Sequence, residues 1–226
     1  MKTLLKEMAI QRKFVDNLGL SKDEAKKLLT KIMKTETNWS FNFNKVYVTL
    51  NLILTNNPEL VEEINIAEDC AVFNCCKSEE QRRKLLKMFL SYGIDVNKKA
   101  KNGDTILHYA AGLACKEQVG LLLKYGANVN EPNKDKESPA SCLVDDDYMV
   151  YFQPERVYDC LTLLIDYGAN VDSLLSVFLS KDFFNTDENN KYYKMIFDIL
   201  EVYDNKFDLS RCSSSIKEEY NKLKSI

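Results

Sequence analysis

The sequence predicts an all-α protein: a helical solenoid of about four to five stacked units, with an N-terminal helical hairpin and a C-terminal capping helix. One observation is compositional, because only four prolines and seven glycines in 226 residues favour helices over a turn-rich β fold. The other is a repeated pattern, in which leucine-rich helix ends recur and each is followed by Tyr-Gly. A recurring helical unit indicates stacking, since one helix pair cannot bury its own apolar face.

The spacing of the Tyr-Gly pairs defines the period of the repeat. Gly93 and Gly126 lie 33 residues apart, whereas Gly126 and Gly168 lie 42 apart, which is one period plus nine inserted residues. We expect each of these glycines to adopt the left-handed conformation that ends a helix. The leucine-rich segments before them are Met88-Phe89-Leu90, Leu121-Leu122-Leu123 and Leu163-Leu164-Ile165.

The clearest unit covers residues 102–134. Its start contains Thr105, Leu107, His108, Ala110 and Ala111 in the spacing T-x-L-H-x-A-A, with Ile106 at the second position. This unit resembles the ankyrin repeat, whose signature has proline where this chain has isoleucine. The resemblance implies that Thr105 and His108 form a structural polar pair, which ties the start of the helix to neighbouring backbone. The two alanines are expected to let neighbouring helices approach closely.

Residues 1–36 are predicted to form the N-terminal helical hairpin. Its first helix runs from Thr3 to Asn17, and its second begins at Ser21. Glu24 follows three residues after that serine, so the pair is expected to form a capping box. The second helix carries one apolar stripe, made by Ala25, Leu28, Leu29, Ile32 and Met33.

Residues 37–209 are predicted to form the ankyrin-repeat domain. The segment from Lys45 to Leu54 is rich in β-branched residues, but the repeat register favours a buried helix there. In the next unit, residues 69–76 occupy the first-helix position and residues 81–92 the second. After the central repeat, Ser138-Pro139 resembles the Thr-Pro start. Residues 210–226 are expected to form the capping helix.

The nine inserted residues lie between Leu143 and Arg156, with the insert itself near 145–155. It contains three consecutive aspartates and several aromatic residues, and it leaves two interpretations open. One is an exposed loop that contacts a partner, because aromatic side chains supply rigid contact area at interfaces. The other is a lengthened first helix whose aromatic residues cover the core.

The ankyrin resemblance implies recognition of a protein partner by a concave surface, built from loop tips and first helices. Carried onto this sequence, the loop-tip candidates are Lys101, Asn102, Asp104, Lys134, Asp135, Lys136 and Glu137. The first-helix candidates are Tyr109 and Leu113. The candidates in the insert are Asp145, Asp146, Asp147, Tyr148, Tyr151 and Phe152.

The residues give no positive sign of catalysis or of a bound cofactor. The sequence contains neither a phosphate-binding glycine loop nor a hydrolase or kinase motif. Seven cysteines without paired C-x-x-C spacing and a single histidine disfavour both a disulfide framework and a zinc site. We therefore predict no catalytic residues, no metal and no cofactor.

The charge and hydropathy patterns limit the kinds of partner. A net charge of −3 gives no overall attraction to nucleic acid, and no apolar run reaches the length of a membrane span. We therefore expect a monomer that contacts neither nucleic acid nor membrane. We expect it to act in the cytoplasm, or in the cytosol of a host if it is a secreted effector.

These observations favour a non-enzymatic protein-interaction module that acts as an effector or an adaptor. An alternative is an inhibitor or immunity-type protein that blocks a basic toxin or enzyme. Residues 135–172 suit that role, since they contain nine acidic and two basic residues. A third hypothesis, from another class, is an enzyme with an unrecognised site that involves the N-terminal helices.

Overall fold

The structure, a computed structural model, describes residues 20–34, 43–66, 79–143 and 154–170, together with Asp198. Within those ranges all regular secondary structure is helical, which confirms the predicted all-α class. The chain divides into two compact units, 1–101 and 102–226. The helices of the first unit are α1 (Lys22–Lys34), α2 (Phe43–Asn56), a 3-10 helix (Pro58–Glu63) and α3 (Glu79–Ser91). Those of the second are α4 (Ile106–Gly112), α5 (Lys116–Lys124), α6 (Pro139–Leu143) and α7 (Pro154–Asp166).

Helix α1 begins with the predicted capping box. The Ser21 N–H donates to Glu24 Oε2 at 2.8 Å, and the Glu24 N–H donates to Ser21 Oγ at 3.4 Å. These bonds satisfy amides that the first turn of a helix leaves without an intrahelical partner. The apolar stripe of α1 faces α2, and its buried members are Ala25, Leu29, Ile32 and Met33. Leu28 is half-buried at the edge of that stripe.

Two ion pairs connect α1 with the 3-10 helix. Lys22 Nζ lies 2.8 Å from Glu59 Oε1, and Lys26 Nζ lies 2.7 Å from Glu63 Oε1. About half of each side chain is exposed, so solvent screens both pairs. The apolar stripe therefore contributes more than the ion pairs to holding α1 in place.

The β-branched segment at residues 45–54 forms a helix, as the repeat register predicted. Its buried residues are Val46, Leu50, Ile53 and Leu54, which recur at intervals of three and four. That spacing places all four on one helical face, so packing outweighs the intrinsic strand preference of the segment.

The loop after α3 is anchored back onto α2 by the side chain of Tyr92. Its hydroxyl lies 3.0 Å from the Asn51 carbonyl oxygen and 2.6 Å from Thr55 Oγ1. Further along the same loop, the Lys98 ammonium donates to the Ile64 carbonyl at 3.1 Å. These bonds join segments more than 30 residues apart and fix one repeat against the one before it.

In the second unit the helices stack in two layers. Helix α4 packs against α6 in one layer, and α5 packs against α7 in the other. Helices α4 and α6 are in close contact at Gly112, where an added Cβ would make an ordinary van der Waals contact, 3.6 Å, with the Cys142 carbonyl oxygen. The side chains of Leu107, Ala111, Val119, Leu122, Val157, Leu161 and Leu164 are all fully buried.

The glycines after the second helices adopt the predicted left-handed conformation, with φ of +81° at Gly93, +84° at Gly126 and +89° at Gly168. Gly103 has φ of +87° as well, but for an additional reason. A Cβ at Gly103 would lie 2.7 Å from the backbone nitrogen of Lys134 in the next repeat. A side chain at this position would therefore push two neighbouring loops apart.

Several predicted elements lie outside the described residues. They are the first helix of the 1–36 hairpin, the first-helix segment 69–76, most of the insert near 145–155, the later part of the 37–209 domain and the capping helix at 210–226. These elements and the domain boundaries remain predictions.

We expect Tyr92→Phe to lower the free energy of unfolding by about 1 kcal/mol, the typical net value of an intramolecular hydrogen bond. Urea unfolding followed by circular dichroism measures this change. Tyr125→Phe is the matched control, since Tyr125 occupies the same repeat position but is 54% exposed. Equal effects of the two substitutions would contradict the anchoring role of the Tyr92 hydroxyl.

We expect Gly103→Ala to destabilise the protein more than Gly126→Ala does. Both glycines have positive φ, which costs an alanine about 1–2 kcal/mol. A Cβ at Gly126 meets nothing within 4 Å, whereas a Cβ at Gly103 collides with the next loop. The difference in urea unfolding should exceed about 1 kcal/mol, because a bond between the loops is lost as well. A difference near zero would show that the loops separate without cost.

Candidate protein-interaction surface

Two loop tips lie side by side in the second unit. The first tip is residues 102–105 and the second tip is residues 133–138. The Lys134 N–H of the second tip donates to the Asn102 carbonyl of the first at 3.1 Å. Because Gly103 lacks a side chain, the two backbones approach closely enough to form this bond.

Asn133 organises the second tip and joins it to the first. Its Oδ1 accepts from the N–H of Asp135 at 3.0 Å and from the N–H of Glu137 at 2.9 Å. Its Nδ2 donates to Asp104 Oδ1 at 3.0 Å and to Glu137 Oε2 at 3.1 Å. One amide side chain thus holds a turn within its own loop and a carboxylate of the neighbouring loop.

The sequence analysis did not identify Asn133 as a candidate residue. Comparison of the repeats offered no signal, because the residue 33 positions earlier is Ala100. A local signal was present, however. Asn133 and Asp135 have the Asn-x-Asp spacing of a turn in which the asparagine side chain accepts from the backbone two residues later. Asn102 and Asp104 form the same turn, with the Asp104 N–H donating to Asn102 Oδ1 at 3.1 Å.

The predicted tip residues fall into two groups in the structure. Asp104 and Glu137 are half-buried, because Asn133 engages their carboxylates. The side chains that project into solvent are those of Lys101, Asn102, Lys134, Asp135 and Lys136. The tip pair therefore combines a fixed polar base with an exposed rim of mixed charge.

His108 connects the first helix of this repeat to the second tip. The Thr105 N–H donates to His108 Nδ1 at 3.0 Å, and His108 Nε2 lies 3.2 Å from the Glu137 carbonyl oxygen. A nitrogen that accepts from an N–H carries no proton, so the ring proton lies on Nε2 and is donated to Glu137. The side chain is only 2% exposed, and burial lowers its pKa. His108 therefore has the structural role that the ankyrin resemblance implies.

The two first-helix candidates lie at the C-terminal end of α4. Tyr109 is half-buried, and Leu113, the C-cap residue, is 40% exposed. The Leu113 N–H donates to the Tyr109 carbonyl at 3.1 Å, which continues the helical turn. Residues four apart in such a turn are neighbours on its surface, so we call this pair the apolar strip of α4. In the next repeat the position of Tyr109 is occupied by Cys142, which is half-buried and belongs to the packed helix α6.

The six candidates in the insert, Asp145, Asp146, Asp147, Tyr148, Tyr151 and Phe152, lie outside the described residues. The described part of α6 ends at Leu143 and α7 begins at Pro154, on either side of these candidates. The two interpretations of the insert both remain open.

Within the described ranges, no group of three or more histidine, cysteine or acidic side chains is arranged to hold a metal ion. The described cysteines, Cys115, Cys142 and Cys160, are free thiols. Burial raises the pKa of Cys160 to about 12, so this thiol is protonated at neutral pH and is a poor nucleophile. No helix in the described part of the chain has the length and apolar character needed to cross a membrane.

The comparison with known proteins agrees with this arrangement of helices. No curated protein matches the chain. A family model described as ankyrin repeats (3 copies) matches residues 43–133 and 72–174. The two matches together cover more than half of the chain and include α2 to α7. The chain belongs to the ankyrin-repeat family.

Proposed function

We propose that this protein is a non-enzymatic binding module, which binds one protein partner through the tip pair and the apolar strip of α4. Ankyrin repeats generally mediate protein–protein interaction, which gives the broad class. The observation that supports the specific surface is the contrast within the tip pair. Its backbones are bonded together through Lys134 and Asn102, while the charged ends of its side chains remain exposed.

A fixed backbone favours binding, because little loop entropy remains to be lost when a partner docks. The tip loops are held by bonds within each loop and between them, so association would order only the exposed side chains. Leu113 and Tyr109 would supply the apolar contact area, which typically contributes most at an interface. The lysines and Asp135 around them would set orientation and the rate of encounter.

The inserted segment is proposed as a second contact. Its three aspartates and its aromatic residues, Tyr148, Tyr151 and Phe152, combine charge with rigid contact area. An adaptor or effector would use such a segment to distinguish its partner from proteins with similar surfaces. This part of the proposal rests on the sequence alone.

A second candidate is an inhibitor of a basic toxin or enzyme. The excess of acidic residues over 135–172 favours it, and the described members of that set include the exposed Asp135, Glu155 and Asp166. Such an inhibitor would associate faster at low salt, because the Debye length is then longer. The free thiols Cys115, Cys142 and Cys160 support a reducing compartment such as the cytoplasm for either role.

The test is affinity capture from the native cell, followed by measurement of Kd with the purified partner. We expect the double substitution Tyr109→Ala and Leu113→Ala to weaken binding at least tenfold, which corresponds to about 1.4 kcal/mol. Tyr125→Ala is the matched control, because Tyr125 is exposed at the end of α5 rather than on α4. We expect Lys136→Ala to slow association without a large change in the rate of dissociation.

Other outcomes separate the hypotheses. Unchanged affinity in the α4 and Lys136 variants would show that the tip pair and α4 do not form the interface. If binding is lost only when Asp145, Asp146 and Asp147 are replaced by asparagine, the partner contacts the insert rather than the tip pair. Inhibition of a basic captured enzyme would favour the inhibitor role, and turnover of the partner by this chain would favour catalysis.

A further inference from the structure

The hydrogen bonds around His108 fit only the neutral form of the ring. Its Nδ1 receives the Thr105 N–H at 3.0 Å, so a proton on Nδ1 would leave that buried N–H without an acceptor. The Thr105 hydroxyl also lies 3.0 Å from Nδ1 and would accept a bond from the protonated ring. It would not replace the acceptor that the Thr105 N–H loses, because the hydroxyl of a threonine lies too close to that residue's own N–H for a well-aligned hydrogen bond. Protonation therefore requires the start of α4 to move.

The same ring bridges two repeats. Its Nε2 reaches the Glu137 carbonyl, 29 residues further along the chain, beside the Lys134–Asn102 and Asn133–Asp104 bonds. A movement of the ring would therefore disturb all three links of the tip pair together. In the other layer the repeats are joined by groups that do not include a histidine. Asn130 Nδ2 donates to the Gly168 carbonyl at 2.9 Å, and Lys116 pairs with Asp159 at 3.1 Å.

We propose that His108 is an acid-sensitive latch, which holds the tip pair closed while neutral and opens it when protonated, with the α5–α7 layer left in place. The latch is a property of the fold and does not depend on whether the tip pair binds a partner. The following repeat has no histidine at this position: Ser141 takes its place, and its Oγ lies 3.0 Å from Ser138 Oγ.

The charged groups around the ring come from each neighbouring segment. Asp104 precedes α4, Glu131 follows α5, and Glu137 precedes α6 and contributes its carbonyl. Burial is the largest influence on the pKa of His108 and lowers it. The carboxylates of Asp104 and Glu131 raise the pKa by less, so it stays below its ordinary value. The charged side chains of α5 (Lys116, Glu117 and Lys124) are exposed, and α6 contributes only the Cys142 thiol as a titratable group.

The direction of the pH effect follows from proton linkage. In the open form the ring has its ordinary pKa of 6.5, whereas in the closed form its pKa is lower. The open form therefore binds more protons below pH 6.5, and opening increases as the pH falls through that value. Well above pH 6.5 both forms are neutral and the equilibrium no longer depends on pH. If the ring has its ordinary pKa in the open form, the equilibrium constant for opening is up to about tenfold larger at pH 5.5 than at pH 7.5.

The experiment is amide hydrogen exchange by NMR on the full chain at pH 7.5 and 5.5, expressed as protection factors so that intrinsic exchange cancels. We expect the protection of the Lys134 and Thr105 amides, which bond across and within the latch, to fall up to about tenfold at pH 5.5. The Asn170 amide, which bonds to Asn130 Oδ1 at 2.6 Å, should keep its protection.

The matched variant is His108→Gln, which retains an uncharged acceptor and donor but does not titrate. We expect it to show the same protection at both pH values. His108 is the only histidine of the chain, so its ring resonances also report the pKa directly in the unmodified protein. Such a titration keeps the proposal testable if the glutamine variant does not fold. A ring pKa at or above 6.5 would overturn the latch, as would equal losses of protection at Lys134 and Asn170.

Discussion

Each helix pair of this chain has an apolar face that it cannot bury alone, and the rest of the structure depends on this constraint. In the second unit it is met by two layers of contact, α4 on α6 and α5 on α7. Fully buried residues such as Leu107 and Val119 supply the driving force, because each removes apolar surface from water. The polar bonds between loops add less energy, but they determine the register in which the helices stack.

That division of roles allows the polar pair at the start of a first helix to differ between neighbouring repeats. Thr105 and His108 bond within their own helix start and reach the next repeat, whereas the Ser138 and Ser141 hydroxyls lie 3.0 Å from each other within one helix start. A serine side chain is too short to span the gap that an imidazole spans. Stacking of α6 and α7 persists nevertheless, since it relies on Leu143, Cys160 and Leu164, which are all buried.

Sequence reasoning predicted the features that depend on local chemistry. The left-handed glycines, the Ser21–Glu24 capping box and the helix over residues 45–54 each follow from a few neighbouring residues or from the repeat period. It missed Asn133, whose partners Asp104 and Glu137 are brought together only when two loops pack. It also placed Asp104 and Glu137 among the exposed tip residues without anticipating that this asparagine would engage their carboxylates. Bonds between loops are set by stacking, and one sequence carries little direct information about them.

The fixed base of the tip pair and its exposed rim have separate consequences for recognition. Asn133, Gly103 and His108 act on the backbone, so changes there alter the position of every rim side chain at once. The side chains of Lys134 and Lys136 are exposed around that base, to which Lys134 contributes only its backbone N–H. Substitutions at the rim are therefore expected to cost little stability, because exposed charges contribute weakly to folding. On the proposed interface, such a repeat would keep its fold while its specificity changed, since the residues that determine its shape are not those proposed to contact the partner.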